Sequence, residues 1–321
     1  MASITLLGPQ YRDPNLAAAL RERGLSGGPF VSISAGWQER EGEIDELRAH
    51  IGAPVEDLRI YERTEDVFSA DRALRLAHRA RQARLQEMQE LYALRLGHAK
   101  QAARELFDRS ASAAVLLPAR RQAIAALRRL DRSHLFAIRA VHDEFEREFE
   151  PAQRVAVAHA RAAVLRALEP STAVLIAGGH VAALVNRLRL LGAAEWLAGR
   201  PLFAWSAGAM ALGESVVLFH DQPPQGGANA EVLDAGLGLL PGVLPLPHAQ
   251  SRLHLHDERR VAVFARRFAP NACVTLDHGA CLGFDAGSLR FHTGSFQLSR
   301  RGELAQPIMD AGTRGGERAH A

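Results

Sequence analysis

The chain has 321 residues, of which 47% are hydrophobic and 23% charged, with a net charge of +3. This is the balance of an ordinary globular protein of roughly two domains, so bulk disorder is excluded. No apolar run approaches the about 18 residues of a membrane span, and the first residues lack the features of a signal peptide. We therefore expect a cytoplasmic protein that binds neither membrane nor nucleic acid.

Short apolar runs bounded by Gly, Pro, Asn or Asp predict strands that are buried on both faces of a parallel sheet. These runs are Ile4–Leu7, Phe30–Ser34, Leu58–Tyr61, Ala173–Ala177, Leu202–Trp205 and Val216–Phe219. Helical patterns lie between several of them, at Asn15–Arg23, Gly42–His50 and Val181–Leu191. Alternating strands and helices predict an α/β fold with a mostly parallel sheet flanked by helices.

The segment 67–150 is expected to form a long helical hairpin or arm. Residues 71–150 contain a single Gly and a single Pro, with apolar residues at steps of three and four. Pro118 is expected to open the second helix. The apolar stripe needs a cover, which is either the core or a second copy of the chain, so a homodimer through this hairpin is a candidate assembly.

Near the C-terminus, further short runs predict antiparallel strands that close the domain. These runs are Cys273–Leu276, Leu282–Phe284, Leu289–His292 and Phe296–Ser299. The predicted organisation is an α/β domain of residues 1–66 and 151–305, the helical insertion 67–150, and a flexible tail 306–321. The two cysteines, Cys273 and Cys281, lie in apolar surroundings and are expected to be buried.

The segment around Ser206 is typical of a nucleophile elbow. An apolar strand runs directly into the serine, small residues flank it at Ala204, Ala207 and Gly208, and a helix-forming run follows. An N-capping serine without catalytic function is the alternative. The tripeptide beginning at Ser34 repeats the same letters, but a polar loop follows it, so we assign it to a loop near the pocket mouth.

A second strand ends at Gly178-Gly179, which allows a backbone N–H to approach a ligand closely. Sites in open α/β sheets lie beyond the carboxyl ends of the strands, so these glycines are candidates for half of an oxyanion hole. A simple tight turn is the alternative.

A nucleophilic serine needs a histidine base and an orienting acid. Among the histidines that follow the elbow, His248 stands out because it ends a segment punctuated by Gly and Pro. Asp221 is the first candidate for the acid, with Asp277 and Glu214 as competitors.

The set His254, His256 and Asp257 resembles a metal-binding group, but it enters a charged run that predicts the start of a solvated helix. Neither a metal nor an organic cofactor is expected.

Together, the elbow at Ser206, the Gly178-Gly179 strand end and the segment leading to His248 resemble the cyanophycinase and dipeptidase E family of serine peptidases. The resemblance covers roughly 1–66 and 165–300, and it implies a class I glutamine amidotransferase-like fold, a flavodoxin-like three-layer sandwich. It implies Ser206 as nucleophile, His248 as base, and Gly179 and Ala207 as oxyanion donors. The offset of Asp221 from the serine matches the acid suggested for dipeptidase E.

The chain departs from the family pattern at four positions. Ala204 replaces the usual Gly, His180 replaces Asn or Asp, Leu246 replaces an acidic residue or Asn, and His278 replaces Glu. Substrate recognition is therefore expected to differ.

The resulting hypothesis is a serine hydrolase that cleaves a short peptide or isopeptide, with aspartyl-containing peptides among the candidates. Arg252 is a candidate for holding a substrate carboxylate. The alternative is an inactive binding or scaffold protein that uses the hairpin for assembly.

Overall fold

The computed structural model describes residues 3–219 and 230–307. Their strands are β1 Ser3–Leu7, β2 Phe30–Ile33, β3 Val55–Asp57, β4 Ala173–Ile176, β5 Leu202–Trp205, β6 Ser215–Leu218, β7 Glu231–Ala235, β8 Val243–Pro247, β9 Ala272–Leu276, β10 Cys281–Asp285, β11 Ser288–Thr293, β12 Gln297–Leu298 and β13 Leu304–Ala305. Their α-helices are α1 Leu16–Glu22, α2 Asp45–Ile51, α3 Ile60–Ala70, α4 Arg72–Asp108, α5 Ala113–Phe149, α6 Val155–Leu168, α7 Val181–Leu190, α8 Ala193–Leu197, α9 Ala207–Leu212, α10 Ala249–Arg252 and α11 Glu258–Phe268. Most of the predicted tail, 306–321, lies outside the described residues.

Seven strands form the central sheet in the order β11-β10-β1-β5-β4-β2-β3. The neighbours β1, β5, β4, β2 and β3 are parallel, whereas β10 and β11 are antiparallel at one edge. The predicted α/β class with a mostly parallel sheet is confirmed. β5, in the middle of the parallel part, has β1 on one side and β4 on the other.

Alternate side chains of the parallel strands enter two different apolar cores. In β4, Val174 and Ile176 join the core that contains α6 and α7, whereas Ala173 and Leu175 join the core that contains α1. Successive side chains of a strand point to opposite faces, and helices cover both faces. This explains why the central strands are continuous apolar runs in the sequence.

Three predictions for individual elements were wrong. The run Val216–Phe219 is a strand, β6, but it does not belong to the parallel sheet, because it pairs antiparallel with β7 in a separate two-stranded sheet. The run Leu58–Tyr61 is not a strand: the strand is β3, and α3 already begins at Ile60, after Arg59 with a φ of 50°. Leu58 and Ile60 are apolar because a turn and a helix start are buried in the core. In the hairpin, Pro118 lies inside α5, which begins at Ala113.

The helices α4 and α5 have 37 residues each, so each is about 55 Å long at about 1.5 Å per residue. They pack along one another, and α5 also packs on β7 and α11. Tyr92, Leu96 and Leu127 belong to the same apolar core as the sheet, so the hairpin is fastened to the α/β layers along its length. In the described ranges no helix, including these two, is long and apolar enough to cross a membrane.

A buried polar network joins the hairpin to the α/β layers. Asp131 of α5 accepts hydrogen bonds from the Tyr92 hydroxyl and from two nitrogens of Arg267, each at 2.7 Å. The Arg267 guanidinium also donates to Ala230 O at 2.7 Å, and the Tyr92 hydroxyl accepts from Val232 N at 3.1 Å. One carboxylate thus holds α4, α5, α11 and β7 together.

A smaller sheet has the order β13-β12-β9-β8, with β8 parallel to β9. β8 contains Pro245 and Pro247, and its place at the sheet edge accommodates residues that cannot donate a backbone hydrogen bond. The sequence did not predict this strand, which carries His248 at its carboxyl end.

Replacing Asp131 by Ala leaves the Arg267 guanidinium buried without its carboxylate. We expect the free energy of unfolding to fall by about 3–5 kcal/mol, the range for breaking one partner of a buried ion pair. The matched control is Asp143→Ala on an exposed position of the same helix, which should change stability by about 0.5 kcal/mol or less. Urea denaturation measures both, and equal small losses would contradict the anchoring role of this network.

Candidate functional site

Ser206 occupies a sharp turn between β5 and α9. Its φ of 51° and ψ of −122° lie in a region that side-chain-bearing residues rarely adopt, and the serine is half-buried. The turn brings backbones very close, since a Cβ placed on Gly208 would lie 2.3 Å from Ile176 O. The small residues around the serine are therefore required by a strained strand-to-helix turn, a geometry that is typical of nucleophile elbows.

The Gly178-Gly179 strand end lies directly against this serine. A Cβ on Gly178 would lie 2.7 Å from Ser206 Cβ, 3.4 Å from Ser206 Oγ and 3.5 Å from Ala207 N. Gly178 is buried, whereas Gly179 is exposed and has a φ of 107°. The structure thus brings together Ser206, Ala207 and the two glycines at the carboxyl ends of β4 and β5.

The repeated tripeptide beginning at Ser34 lies beside the same glycines. Gly36 O accepts a hydrogen bond from His180 N at 2.7 Å, just beyond Gly179. The Ser34 hydroxyl is buried and donates to Asp57 Oδ2 at 2.7 Å. Because this hydroxyl supports the sheet rather than facing a pocket, Ser34 is a structural residue.

His248 follows β8 with a φ of 59°, and its backbone N–H donates to Leu276 O at 3.0 Å. The elbow helix α9 packs on β8. β9 continues through Asp277 into β10, which pairs with β1, and Gly8 N donates to Ala280 O at 2.8 Å. Ser206 and His248 consequently lie at the same edge of the fold. Within the described residues, however, no hydrogen bond joins their side chains.

The imidazole of His248 is kept neutral by its surroundings. Burial lowers its pKa to about 4, and the neighbouring Arg252 and His278 side chains act in the same direction. The Tyr11 ring stacks on His248 with a centroid separation of 6.0 Å and meets His278 edge-on at 4.8 Å. A neutral histidine at pH 7 is the form that can accept a proton from a serine.

The three candidate acids differ in their placement. Asp221, the first choice, lies outside the described residues. Asp277 follows β9 next to His248, and its Oδ1 accepts from Gln250 N at 3.0 Å, while burial raises the pKa of its carboxyl. Glu214 is bound to Gly242 N at the beginning of β8, the end opposite to His248, so it is too far away to orient the imidazole.

Two residues near His248, Tyr11 and His278, were not predicted from the sequence to contribute to the site. Tyr11 follows the carboxyl end of β1, the position where active-site residues of such sheets are found, and this signal was available. His278 was noted only as a departure from a family pattern. Arg252 ends α10, is half-buried and has its pKa lowered by burial.

The other chemistry-bearing residues have structural surroundings. Asp257 Oδ1 accepts from the backbone N–H groups of Arg259 and Arg260, so it caps α11. Both cysteines are buried as predicted, and burial raises the pKa of each thiol, Cys273 and Cys281, to about 12.

Comparison with known proteins places the chain in a family. The model of peptidase family S51 matches residues 126–291, which is more than half of the chain. The chain belongs to peptidase family S51. This membership assigns it as a peptidase of a serine peptidase family.

The chain is also similar to two solved structures, at sequence identities of 15% and 12%. A peptidase from an acI-B1 actinobacterium is 15% identical, with 94% of this chain and 91% of that chain covered and a TM-score of 0.43. A candidate peptidase E protein from Listeria monocytogenes EGD-e is 12% identical, with 93% and 100% covered and a TM-score of 0.42. No curated protein sequence matches the chain significantly.

Gly178→Ala should disable the elbow without unfolding the protein, because its Cβ would collide with Ser206 Cβ. Relieving this collision would displace Ser206. We expect the displacement to slow the reaction of Ser206 with a fluorophosphonate serine-hydrolase probe roughly 100-fold. Gly27→Ala is the control, since a Cβ there meets nothing within 4 Å. Probe labelling and the melting temperature are measured together, and unchanged labelling of the Gly178 variant would refute the close packing at the elbow.

Proposed function

We propose that this peptidase cleaves a short peptide or isopeptide bond with Ser206 as its nucleophile. The observation that carries the proposal is the backbone of Ser206, held at a positive φ against Gly178 at the carboxyl end of the central strand. Such strain is maintained only where the surrounding structure imposes it, and an exposed hydroxyl at an elbow is its usual consequence.

In the proposed mechanism, Ser206 Oγ attacks the carbonyl carbon while His248 takes the hydroxyl proton. The tetrahedral intermediate then collapses, the C–N bond breaks, and His248 gives its proton to the leaving amine. A water molecule attacks the acyl-enzyme ester with His248 again as base. The carboxylic acid leaves and Ser206 Oγ regains a proton, so the enzyme returns to its starting state.

The oxyanion is proposed to rest on the backbone N–H groups of Gly179 and Ala207. Support comes from the close contact of the two strand ends, where the space above Gly178 reaches Ser206 Oγ and Ala207 N. Backbone donors held in place by the sheet need no rearrangement when negative charge develops.

The orienting acid is proposed to be Asp221, on its offset from the serine, with Asp277 as the alternative. The position of Asp277 beside His248 supports this alternative, but its Oδ1 already accepts a hydrogen bond from Gln250 N. Substrate recognition is proposed to use Arg252. Together with Tyr11 and His278 it forms a wall around the histidine that would suit a substrate carboxylate, as in aspartyl-containing peptides.

Ser206→Ala should abolish cleavage of a mixed library of dipeptides and β-aspartyl dipeptides, with products identified by mass spectrometry. The matched control is Ser34→Ala in the repeated tripeptide, which loses its hydrogen bond to Asp57 and some stability but keeps the nucleophile. Asp221→Asn and Asp277→Asn belong in the same assay, and the larger loss assigns the acid.

Equal cleavage by the wild type and the Ser206 variant would exclude this serine as nucleophile. Complete inactivity of the wild type on the library would instead favour the alternative of a binding or scaffold protein.

The pH dependence of kcat/KM should report the depressed pKa of His248. Because catalysis needs the neutral imidazole, activity is present above its pKa and is lost as the pH falls through about 4. An unperturbed histidine would give this limb near pH ~6.5. His278→Gln removes a neighbour that lowers the pKa of His248 and should move the limb to higher pH, whereas His98→Gln on α4 should not. A wild-type limb near the ordinary histidine value would contradict the desolvated environment.

A further inference from the structure

A second concave surface, which we call the arginine groove, lies between the amino-terminal half of α5 and the end of α11, with a volume of about 970 Å³. Ala269, which follows α11, lines it and precedes the beginning of β9, whereas the catalytic edge lies at the end of β9. The groove is therefore at the opposite edge of the fold from Ser206. Its arginines are Arg120, Arg121, Arg128, Arg129, Arg132, Arg266 and Arg300.

The positive charge of the arginine groove is not neutralised by acidic side chains among its described lining residues. No Asp or Glu lines it, and within the described residues none of its seven arginines forms an ion pair with a carboxylate. Arg120 and Arg128 donate instead to the backbone carbonyls of Phe107 and Ala269, which fixes the walls. Seven positive charges with no carboxylate among the described residues of the same lining create a strong local attraction for an anionic chain.

The floor of the groove is aliphatic. Leu117, which is 54% exposed, lies with Ile124 and Ala125 between the arginines. The aromatic ring of the lining, Phe107, is covered by the Arg120 guanidinium at 5.3 Å. Surfaces that bind single-stranded nucleic acid offer free aromatic rings for base stacking. An apolar floor with guanidinium rims instead suits a chain that alternates apolar side chains with carboxylates, which pair with Arg bidentately.

We propose that the arginine groove binds an acidic amphipathic segment of a partner protein. Its Asp and Glu side chains would pair with Arg121, Arg129 and Arg132, and its apolar side chains would cover Leu117 and Ala125. Along α5, Arg120 to Arg132 spans about 18 Å at about 1.5 Å per residue, which accommodates roughly five residues of extended chain. This interaction surface is independent of the catalytic proposal, because it shares no residue with the site at Ser206.

The test uses the full-length protein and a fluorescein-labelled 12-residue peptide of alternating Glu and Leu, with binding followed by fluorescence anisotropy. The triple variant Arg121→Glu, Arg129→Glu, Arg132→Glu should bind roughly 10-fold more weakly or worse, since each reversal replaces attraction by repulsion. The matched control, Arg79→Glu, Arg95→Glu, Arg147→Glu, reverses three exposed arginines elsewhere on the hairpin and should leave the affinity unchanged. Affinity should also fall as salt is added.

Thermal unfolding of both triple variants verifies that they are folded. The proposal is overturned if the wild type does not bind the peptide, or if both variants lose affinity equally. It is also overturned if an oligouridylate of equal charge binds the wild type more tightly than the peptide does, which would make the groove a nucleic-acid site.

Discussion

The carboxyl ends of β4 and β5 are so close that there is no room for a Cβ at Gly178 or at Gly208. Ser206 is held at a positive φ, a Cβ on Gly178 would collide with it, and a Cβ on Gly208 would collide with Ile176 O. The same crowding extends to the turn after β2, since a Cβ on Gly179 would lie 2.4 Å from Gly36 O. The backbone of Ser206, which we propose as the nucleophile, is therefore held by closely packed main chain, which need not rearrange when charge develops.

Much of the central sheet is predictable from sequence because its strands are buried on both faces and read as apolar runs. Prediction fails where a buried apolar run is not a strand, or where a strand is not an apolar run. Leu58–Tyr61 is apolar because a turn and a helix start are buried, whereas the true strand β3 contains the exposed Glu56. β8 was missed because its prolines argue against a strand, and only its edge position, a property of the whole sheet, permits them.

The residues of the candidate site also fall into two groups, those that a local sequence pattern predicts and those that it does not. Ser206 and Gly178 are readable because the elbow and the glycine strand end are each encoded within a few consecutive residues. The contact of Tyr11 with His278 depends on the pairing of β1 with β10, which are far apart in the chain, and no local pattern specifies that register. Which of Asp221 and Asp277 orients His248 also depends on contacts between residues that are far apart in the chain. The sequence alone could therefore only rank the two acids.

The hairpin is joined to the α/β layers by polar groups as well as by its apolar stripe. An apolar stripe alone would tolerate sliding of α5 by one helical turn, because each turn offers similar side chains. His142 bonds to Asp234 of β7 at 2.7 Å, and Asp131 bonds to Arg267 of α11; neither bond survives such a shift. We infer that these buried polar pairs fix the register of α5 against β7 and α11. Since β7 pairs with β6, which directly follows α9, the helix that carries the arginine groove is held in one fixed position relative to the strand that follows the turn at Ser206.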